Sequence, residues 1–477
     1  MIARPRMRLA AALAVLAAAG TAQAQSFPGF GGGMGGGLGG FGAMAPGSGP
    51  GYVDLDAALA YIDNADLSAT HRRQDEIGMA GIDTNYDHRG GLLDVRARGT
   101  VDWIHYWHHT LPSAPYGALN ADATWGRSTG PAQWFAQETF NESLANPLAA
   151  PNLSNLEYVN HFATGPAVNL HLGATDRLSL HALYSNTTYQ RSAYGSNSYD
   201  GGAVLAHAIS RVSSLSLAAD EARTVFTNQA VAPTYTTRNA SLSYDGHTPR
   251  AGLTLTAGYT ELDYSGAYRG APMYQVQFNY QLSAFSSIDL SGRSGYSTSG
   301  QAAGASFNAP LSASVLAGLS PATSSAAPFK SDLASLGWYF HRARTSLALS
   351  ASYDRQRYAS APLGYASMQP SMNFGQITDK NYSATLTRQL RPTLSVSLDG
   401  YRSIRRIDTL DASTTESMYG ISVAKRFFKA SLTFYVRRLQ QSAAGAYTGL
   451  GAGAFQANTV GIQFTYDLIG QRAPTGP

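Results

Sequence analysis

The fold is decided by a ten-residue stretch, Met273 to Leu282, which reads "MYQVQFNYQL". Successive side chains of an extended chain point to opposite sides. The stretch therefore has an apolar row and an amide row, formed by Tyr274, Val276, Phe278 and Tyr280 and by Gln275, Gln277, Asn279 and Gln281. In a soluble antiparallel sheet the amide row would face bulk water, whereas in a membrane barrel it would face a hydrated lumen. The stretch predicts a β-strand, and the rest of the chain has to choose between these settings.

The chain as a whole favours one large all-β unit. Runs with the same period of two recur from Tyr52 onward, as in "YVDLDAALAYI" (52–62), "RTSLALSASYDR" (344–355) and "PTLSVSLDGY" (392–401). Counting these runs predicts about 20 strands. A barrel of 16 or 18 strands fits the sequence equally well, because the alternation is weak in segments 52–90 and 130–165. Only 13% of residues are charged, while the chain has 28 Tyr, 49 Gly and no Cys. This composition is unlike that of a soluble cytosolic enzyme.

The connections between the runs alternate in length. Tight turns occur at 87–91, 173–177, 209–213, 245–251, 341–345, 389–393 and 425–430. Longer segments lie between them, at 297–330, 358–376 and 440–458. Short turns on one rim and long loops on the other are typical of a transmembrane antiparallel β-barrel with periplasmic turns and extracellular loops. We therefore expect a barrel of about 16 to 20 strands, and we expect segment 297–330 to fold inward and narrow the lumen.

The first residues predict export. Arg4, Arg6 and Arg8 precede an apolar run, Leu9 to Ala19, and a small-residue cleavage site that ends at Ala24. This is the pattern of a secretory signal peptide, residues 1–24, and its apolar run is too short to cross a membrane as a helix. Removing three of the 34 basic residues leaves 31 against 30 acidic ones, or +1. The basic balance therefore gives no reason to expect nucleic acid as a partner.

Residues 25–51 form a Gly-rich segment that we expect to be flexible. It contains Gly35-x-Gly37-x-x-Gly40, but no predicted strand precedes this match and no helix follows, so it does not indicate a dinucleotide site. The segment is too short and too flexible to form a folded plug, so an energised siderophore-type receptor is not expected. We assign residues 52–468 to the barrel and 469–477 to a C-terminal tail.

Aromatic clusters and the last strand also fit a membrane barrel. The clusters lie beside turns or loops, at 102–109, 337–340 and 426–428, where girdle residues meet the membrane interfaces. The last strand, "TVGIQFTYDL" (459–468), resembles the C-terminal signal that the barrel assembly machinery reads; the matching positions are Thr459, Gly461, Phe464 and Tyr466. The trailing "IGQRAPTGP" departs from the usual ending at the last aromatic residue.

The expected lumen wall is polar and of mixed charge. We predict that it is lined by Gln275, Gln277, Asn279, Gln281, Asp94, Arg96, Arg98, Asp102, Asp354, Asp399, Tyr435 and Arg437. Such a wall suits hydroxyl-rich solutes and lacks the ring of one sign that a strongly ion-selective pore needs. The alternative is that any hydrated barrel interior must be polar, whatever passes through it. The wall therefore favours saccharides only slightly.

The sequence offers no catalytic or metal-binding constellation. His105, His108 and His109 fall within "WIHYWHHT" (103–110), but on a strand His108 and His109 would point to opposite faces and could not converge on a metal. Neither a Gly-x-Ser-x-Gly elbow nor a His-Glu-x-x-His helix is present. We expect no cofactor and no enzyme activity, although a barrel enzyme that assembles Ser, His and an acid across strands stays open as an alternative.

One segment resembles a known family. Residues 58–107 carry Tyr61-x-Asp63-Asn64, then Glu76, then an extended hairpin with Arg and aromatic residues. This pattern resembles the beta-barrel porin type 2 family of bacterial outer-membrane proteins, which includes members associated with exopolysaccharide and PEP-CTERM systems. The resemblance implies a non-catalytic barrel over residues 52–468 that is encoded with polysaccharide biosynthesis or export functions.

These observations lead to three hypotheses. The first is a passive outer-membrane pore for exopolysaccharide export, with outer-membrane lipid and lipopolysaccharide, the barrel assembly machinery and periplasmic polysaccharide-export proteins as partners. The alternative is a general or sugar-selective porin that takes up small hydrophilic solutes. The third is a non-conducting structural barrel or a barrel enzyme. All three place the protein in the outer membrane of a Gram-negative bacterium.

Overall fold

The chain folds into a closed antiparallel β-barrel in the computed structural model, which describes residues 51–127, 130–144, 155–193, 195–229, 233–264, 267–297, 328–359, 375–408, 411–445 and 453–469. The first ten strands are β1 (Tyr52–Ile62), β2 (Asp75–His88), β3 (Leu93–Tyr106), β4 (Ala114–Trp125), β5 (Ala132–Leu144), β6 (Leu156–His171), β7 (Asp176–Tyr189), β8 (Ser196–Ser210), β9 (Ser213–Phe226) and β10 (Tyr235–His247). The second ten are β11 (Ala251–Tyr264), β12 (Ala267–Ser283), β13 (Ser286–Ser297), β14 (Phe329–Arg342), β15 (Thr345–Tyr358), β16 (Gln376–Arg391), β17 (Leu394–Ile407), β18 (Ala412–Arg426), β19 (Ala430–Ala444) and β20 (Phe455–Asp467).

The sheet closes because β1 pairs with both of its neighbours, β2 and β20. Every other strand pairs with the strand before it and the strand after it. The 20 strands confirm the predicted all-β barrel and the even strand number. The weakly patterned segments 52–90 and 130–165 contain β1, β2, β5 and β6, so the higher strand count was right.

The two rims of the barrel differ in the length of their connections. On one rim, which we call the turn rim, all nine connections have two to six residues, and Tyr52 and Asp467 begin and end the barrel there. All seven predicted tight turns lie on this rim, and all three predicted long segments lie on the other, the loop rim. The loop rim is less uniform than expected, because β11 and β12 are joined by two residues only and β17 and β18 by four.

The two faces of β1 differ in burial, and the cross-strand pairs carry the assignment of faces to the other strands. Along β1, Asp54, Ala58 and Ile62 are buried, whereas Leu55 and Leu59 on the opposite face are exposed, Leu59 by 59%. Side chains crowd together on the concave inside of a closed sheet and diverge on its convex outside. The more buried row is therefore the inner face, and it includes the aspartates of β1.

The outer face is apolar and is bordered by aromatic residues at both rims. Exposed aliphatic side chains form its middle, including Leu55, Ile82, Leu217, Leu242, Leu255, Leu290, Leu336, Leu349, Leu386, Leu398 and Ile421. Exposed aromatic residues flank them toward the turn rim (Trp125, Trp134, Tyr244, Tyr280, Phe427, Phe428 and Tyr466) and the loop rim (Tyr61, Trp103, Trp107, Tyr184, Tyr259, Tyr274, Tyr353, Tyr382 and Tyr419). A soluble protein does not leave an apolar surface of this extent in water. Of the two settings for the alternating strands, the structure therefore matches the membrane barrel.

Within the described residues, no helix is long and apolar enough to cross a membrane.

Candidate functional site: the inner wall and the segment at the loop rim

The amide row of β12 lies on the inner face, as the alternation predicts. Gln277 stands opposite Thr254 and Ser291, and Asn279 stands opposite Asp289, so hydroxyl, amide and carboxylate groups share one wall. Gln277 and Asn279 are exposed, and so is Tyr274 on the outer face, by 52%. Gln275 and Gln281 occupy the same inner row. The local geometry is thus as expected, and the role of these residues in lining a solute path stays a prediction.

The charged residues predicted on β3 share the inner face, but they differ in exposure. Arg96 and Arg98 are exposed, whereas Asp102 is buried and its carboxylate lies directly over Gly81 on the neighbouring strand. Asp94 accepts a hydrogen bond of 2.8 Å from the backbone N–H of Gly90 in the adjoining turn. Two of the four side chains are therefore open to the lumen, and Asp94 and Asp102 are held against the wall.

A group of carboxylates that the sequence did not reveal lies where the barrel closes. Asp54 stands opposite Asp83 on one side and Asp467 on the other. Asp56 accepts a hydrogen bond of 2.6 Å from Thr465 Oγ1. Together with Asp102 these aspartates make the inner wall of β20, β1, β2 and β3 locally acidic. The predicted mixture of charges is therefore not evenly distributed around the wall.

The predicted residues Asp354 and Asp399 also lie on the inner face. Asp354 accepts hydrogen bonds from Ser331 Oγ at 2.8 Å and from Gln356 Nε2 at 2.7 Å. The carboxylate of Asp399 covers Gly420 on the next strand. Both carboxylates are thus engaged with neighbouring strands.

Tyr435 and Arg437 form a compact unit with Gly461 on the inner face. The guanidinium carbon of Arg437 lies 4.9 Å from the centroid of the Tyr435 ring. The ring in turn covers Gly461, where an added Cβ would lie 2.5 Å from ring atom Cζ. Gly461 thus leaves room for a tyrosine on the adjacent strand. Of the proposed assembly signal, Thr459 shares this inner face, whereas Phe464 and Tyr466 are exposed on the outer face.

A part-buried ion pair on the inner face was missed by sequence reasoning. Arg405 on β17 donates two hydrogen bonds to Asp379 on β16, Nε to Oδ1 at 2.8 Å and Nη2 to Oδ2 at 3.2 Å. The two residues stand directly opposite each other in the ladder. Alternation predicts that each faces inward, but only the register shows that they meet.

Near the loop rim, the inner face carries three clusters of buried apolar side chains, which lie among buried polar residues such as Thr260, Ser331 and Glu416. One cluster on β1 to β4 and β20 contains Ala58, Ile62, Ile77, Met79, Ile104, Tyr106, Tyr116 and Ala457. A second on β17 to β20 contains Tyr401, Met418, Leu439 and Phe455, and a third on β9 to β11 contains Phe226, Tyr235, Leu262 and Tyr264. We call these three clusters the apolar layer. A wall that borders open water would not present such a row of buried apolar side chains.

Connections of the loop rim pack into the apolar layer. Segment 63–74, which joins β1 and β2, places Leu67 against both the first and the second cluster and adds Ala65 to the first. Leu111 from the β3–β4 connection joins the first cluster, and Ala359, just after β15, joins the third. Segment 63–74 therefore bridges inner-face residues that belong to strands from β17 round to β4.

Segment 63–74 is fixed in place by Asp63 and Asn64. Asn64 is fully buried; its Nδ2 donates to the carbonyl oxygens of Ser68 at 2.9 Å and Gln456 at 3.0 Å, and its Oδ1 accepts from Ser68 N–H at 3.0 Å. The Asp63 carboxylate accepts from Asn458 N–H at 2.7 Å and from Asn458 Nδ2 at 2.6 Å. These two residues belong to the motif that carried the family resemblance. Their role here is to tie the end of β1 to the start of β20, as Asx side chains do in turns.

A second aspartate holds the β3–β4 connection. The carboxylate of Asp75 is fully buried and accepts hydrogen bonds from His108 N–H at 2.9 Å and Thr110 N–H at 3.1 Å. The expectation that His108 and His109 lie on a strand was wrong, because β3 ends at Tyr106. Among the described residues no group of acidic and histidine side chains could hold a metal ion.

The predicted constriction segment, 297–330, lies mostly outside the described residues. The same holds for the predicted signal peptide, nearly all of the Gly-rich segment and nearly all of the C-terminal tail. The segment that the structure shows against the inner wall is 63–74, which is much shorter.

Comparisons with known proteins give a distant likeness of fold. No protein-family model matches the chain, and no curated protein sequence matches it. The barrel is similar to the siderophore receptor PirA from Pseudomonas aeruginosa, with 12% identity, a TM-score of 0.39 and coverage of 87% of this chain and 80% of that chain. It is also similar to the FrpB iron transporter of Neisseria meningitidis, F5-1 variant, with 10% identity, a TM-score of 0.41 and coverage of 88% and 82%. The unliganded ferric citrate transporter FecA gives 8% identity, a TM-score of 0.41 and coverage of 88% and 79%.

Proposed function

We propose that the protein is an outer-membrane channel for the uptake of small hydrophilic solutes, and that segment 63–74 closes it at the loop rim until the segment is displaced. The proposal is carried by the contrast between the two ends of the inner face. Exposed polar side chains such as Gln277 and Asn279 lie toward the turn rim, whereas the apolar layer and Leu67 lie at the loop rim.

The outer surface of the barrel supports a location in the outer membrane. Its aliphatic middle and two aromatic borders match the band that a barrel presents to a bilayer. Short turns and both barrel termini share one rim, the arrangement in which that rim faces the periplasm. Under the proposal, the apolar layer therefore lies on the extracellular side.

The wall chemistry supports a neutral, hydroxylated solute. Amide and hydroxyl groups donate and accept hydrogen bonds without demanding a charged partner. The inner wall offers such groups on β11, β12 and β13, for example Thr254, Gln277 and Ser291, which stand side by side in the ladder. The acidic group near Asp54 adds a weak preference for cations over anions. The proposal is passive passage, and it assigns no chemical reaction to the barrel.

Uptake of a small solute is favoured over export of a polymer by the apolar layer. A polysaccharide in transit needs a continuous hydrated bore, whereas a small solute needs only a brief displacement of one short segment. Export of exopolysaccharide, with periplasmic export proteins as partners, stays a prediction without a supporting contact in the described part of the chain.

The test is solute flux into vesicles that contain the folded, full-length mature protein. We expect slow, size-limited entry of neutral mono- and disaccharides, and faster entry for a Leu67→Ser variant, because Leu67 packs against two clusters of the layer. Leu255→Ser, on the outer face, is the matched control and leaves the flux unchanged. Absence of saccharide entry for the folded wild type and for Leu67→Ser would refute the channel, and passage of long polysaccharide by the wild type would favour export.

A further inference from the structure

The outer face of the barrel carries cations that stand directly opposite tyrosines near the loop rim. The cross-strand pairs are Tyr353 with Lys380, Tyr382 with Arg402, and Tyr419 with Arg438. Tyr199 and Arg223 form a fourth pair elsewhere on the barrel. The pairs occur on three of the four consecutive ladders from β15 to β19, namely β15–β16, β16–β17 and β18–β19, which is more regular than scattered surface charge.

All six residues of the three pairs are exposed. Tyr353 shares its face of β15 with Leu349, and Arg438 shares its face of β19 with Phe434 and Val436, so the pairs belong to the outer face. The tyrosines lie in the aromatic border at the loop rim. The cations therefore stand at the edge of the apolar band and not within it.

The cations also keep a similar height above the turn rim. Lys380 stands opposite Ile404, and Arg402 lies two residues nearer the turn rim on that strand. The turn rim itself shifts in the same direction from β15 to β16. Thr345, the first residue of β15, stands opposite Arg388, so β16 extends three residues further toward the turn rim. Since barrel strands tilt by roughly 35–45°, a diagonal in this direction runs approximately parallel to the membrane plane.

These cations lack a counter-charge within the described residues. Other cations of the same region are paired there: Arg357 binds Asp332 at 2.5 Å and Arg406 binds Asp408 at 3.0 Å. Lys380, Arg402 and Arg438 form no ion pair with any described acidic residue. The row therefore presents uncompensated positive charge to the leaflet at the loop rim.

We infer that Lys380, Arg402 and Arg438 form a binding site for phosphate groups of membrane lipid. The interface tyrosines fix the level at which hydrocarbon meets headgroup, and cations at that level meet lipid phosphates and form charge-assisted hydrogen bonds with them. The ligand that fits a row of cations is a glycolipid whose headgroup carries more than one phosphate monoester. This inference rests on the proposed outer-membrane location of the loop rim.

The test compares the triple variant Lys380→Gln, Arg402→Gln, Arg438→Gln with a control that removes the same charge at the opposite rim. The control is Arg342→Gln, Arg388→Gln, Lys425→Gln, which alters exposed residues on the outer faces of β14, β16 and β18 beside the turns. The full chain is folded in detergent micelles and titrated with bisphosphorylated lipid A or with the same lipid after enzymatic dephosphorylation. Binding is measured by native mass spectrometry.

We expect the wild type and the control to prefer the phosphorylated lipid, and the triple variant to bind it about 100-fold more weakly. Each cation near a membrane surface contributes roughly fivefold to binding of anionic lipid, so three give this order of magnitude. If the triple variant does not fold, the single variants Lys380→Gln and Arg402→Gln should each lose about fivefold. Equal affinity of the triple variant and the control would overturn the inference, as would equal binding of both lipids by the wild type.

The experiments can refute the lipid-binding site and the proposed channel independently of each other. Saccharide flux is measured on the same preparations, and the lipid-site substitutions lie outside the lumen. A protein that shows no flux but still distinguishes phosphorylated from dephosphorylated lipid would refute the channel alone. Complete competition by millimolar inorganic phosphate would identify a site for free phosphate and overturn the assignment to lipid.

Discussion

Replacing Asn64 by alanine should open the channel. The side chain is fully buried and makes three hydrogen bonds of 2.9 to 3.0 Å, two to segment 63–74 itself and one to β20. Each such bond contributes about 1 kcal/mol net, but only the bond to the part-buried carbonyl of Gln456 links the segment to β20. We therefore expect displacement of the segment to become easier by about 1 kcal/mol, which corresponds to a change of roughly fivefold in the population of the displaced state.

The assay is single-channel recording of the folded protein in planar bilayers. The wild type should be closed for most of the time, and Asn64→Ala should show frequent openings. Asn239→Ala is the control, because Asn239 also lies on the inner face but binds Asp220, with 2.6 Å between Nδ2 and Oδ2, on a strand remote from the segment. Trypsin gives an independent readout, since Arg72 and Arg73 lie within the segment and are exposed.

The reasoning is refuted if Asn64→Ala retains wild-type gating and wild-type resistance to cleavage at Arg72 and Arg73. It is also refuted if Asn239→Ala opens the channel to the same extent, because general loosening of the wall would then explain both variants. Faster cleavage without openings would show that segment 63–74 is held by Asn64 but is not what closes the lumen.

Three further predictions test the wall itself. The Gln277→Lys variant should fold normally and shift the reversal potential in a salt gradient toward anion selectivity. The Val276→Lys variant, on the outer face, should lower the free energy of unfolding in urea by about 2 kcal/mol. Equal stability of the two variants would show that the faces are misassigned. Asp379→Ala should cost about 2 kcal/mol because it leaves the part-buried Arg405 charge without its bidentate partner, and adding Arg405→Ala should recover part of this loss; additive effects in the double-mutant cycle would contradict a direct interaction. Gly461→Ala should lower the unfolding midpoint, because its Cβ would overlap the tyrosine ring that covers it; an unchanged midpoint would mean that the ring moves without cost.

The faces of the strands followed from the sequence because alternation is a local property. The polar row Gln275 to Gln281 and the apolar row Tyr274 to Tyr280 each have the cross-strand neighbours that period-two geometry requires. The seven tight turns followed for a similar reason, since a turn of a few residues is set by the amino acids within it. Asp94, Arg96, Arg98 and Asp102 share the inner face as expected, although only the two arginines are open to the lumen.

The packing of segment 63–74 against the inner wall did not follow from the sequence. Length alone pointed to segment 297–330, most of which lies outside the described residues, and length does not say which connection packs against the wall. A local signal for segment 63–74 did exist in Asp63 and Asn64, whose side chains commonly bind nearby backbone groups. That signal marks a turn. It does not reveal that Leu67 packs against a second cluster on β17 to β20, strands that are distant from it in sequence.

By itself the sequence determined the class of fold, the direction of each strand's side chains and the rim on which each long connection lies, because these depend on residues within a few positions of one another. The tertiary structure decided which strands meet and in what register. Closure places Leu59 opposite Ile462 and Asp54 opposite Asp467, residues about 400 positions apart. Alternation fixes the side on which each of these residues lies but not its neighbour, so the acidic wall, the Arg405–Asp379 pair and the row of outer cations appear only when the ladder is complete.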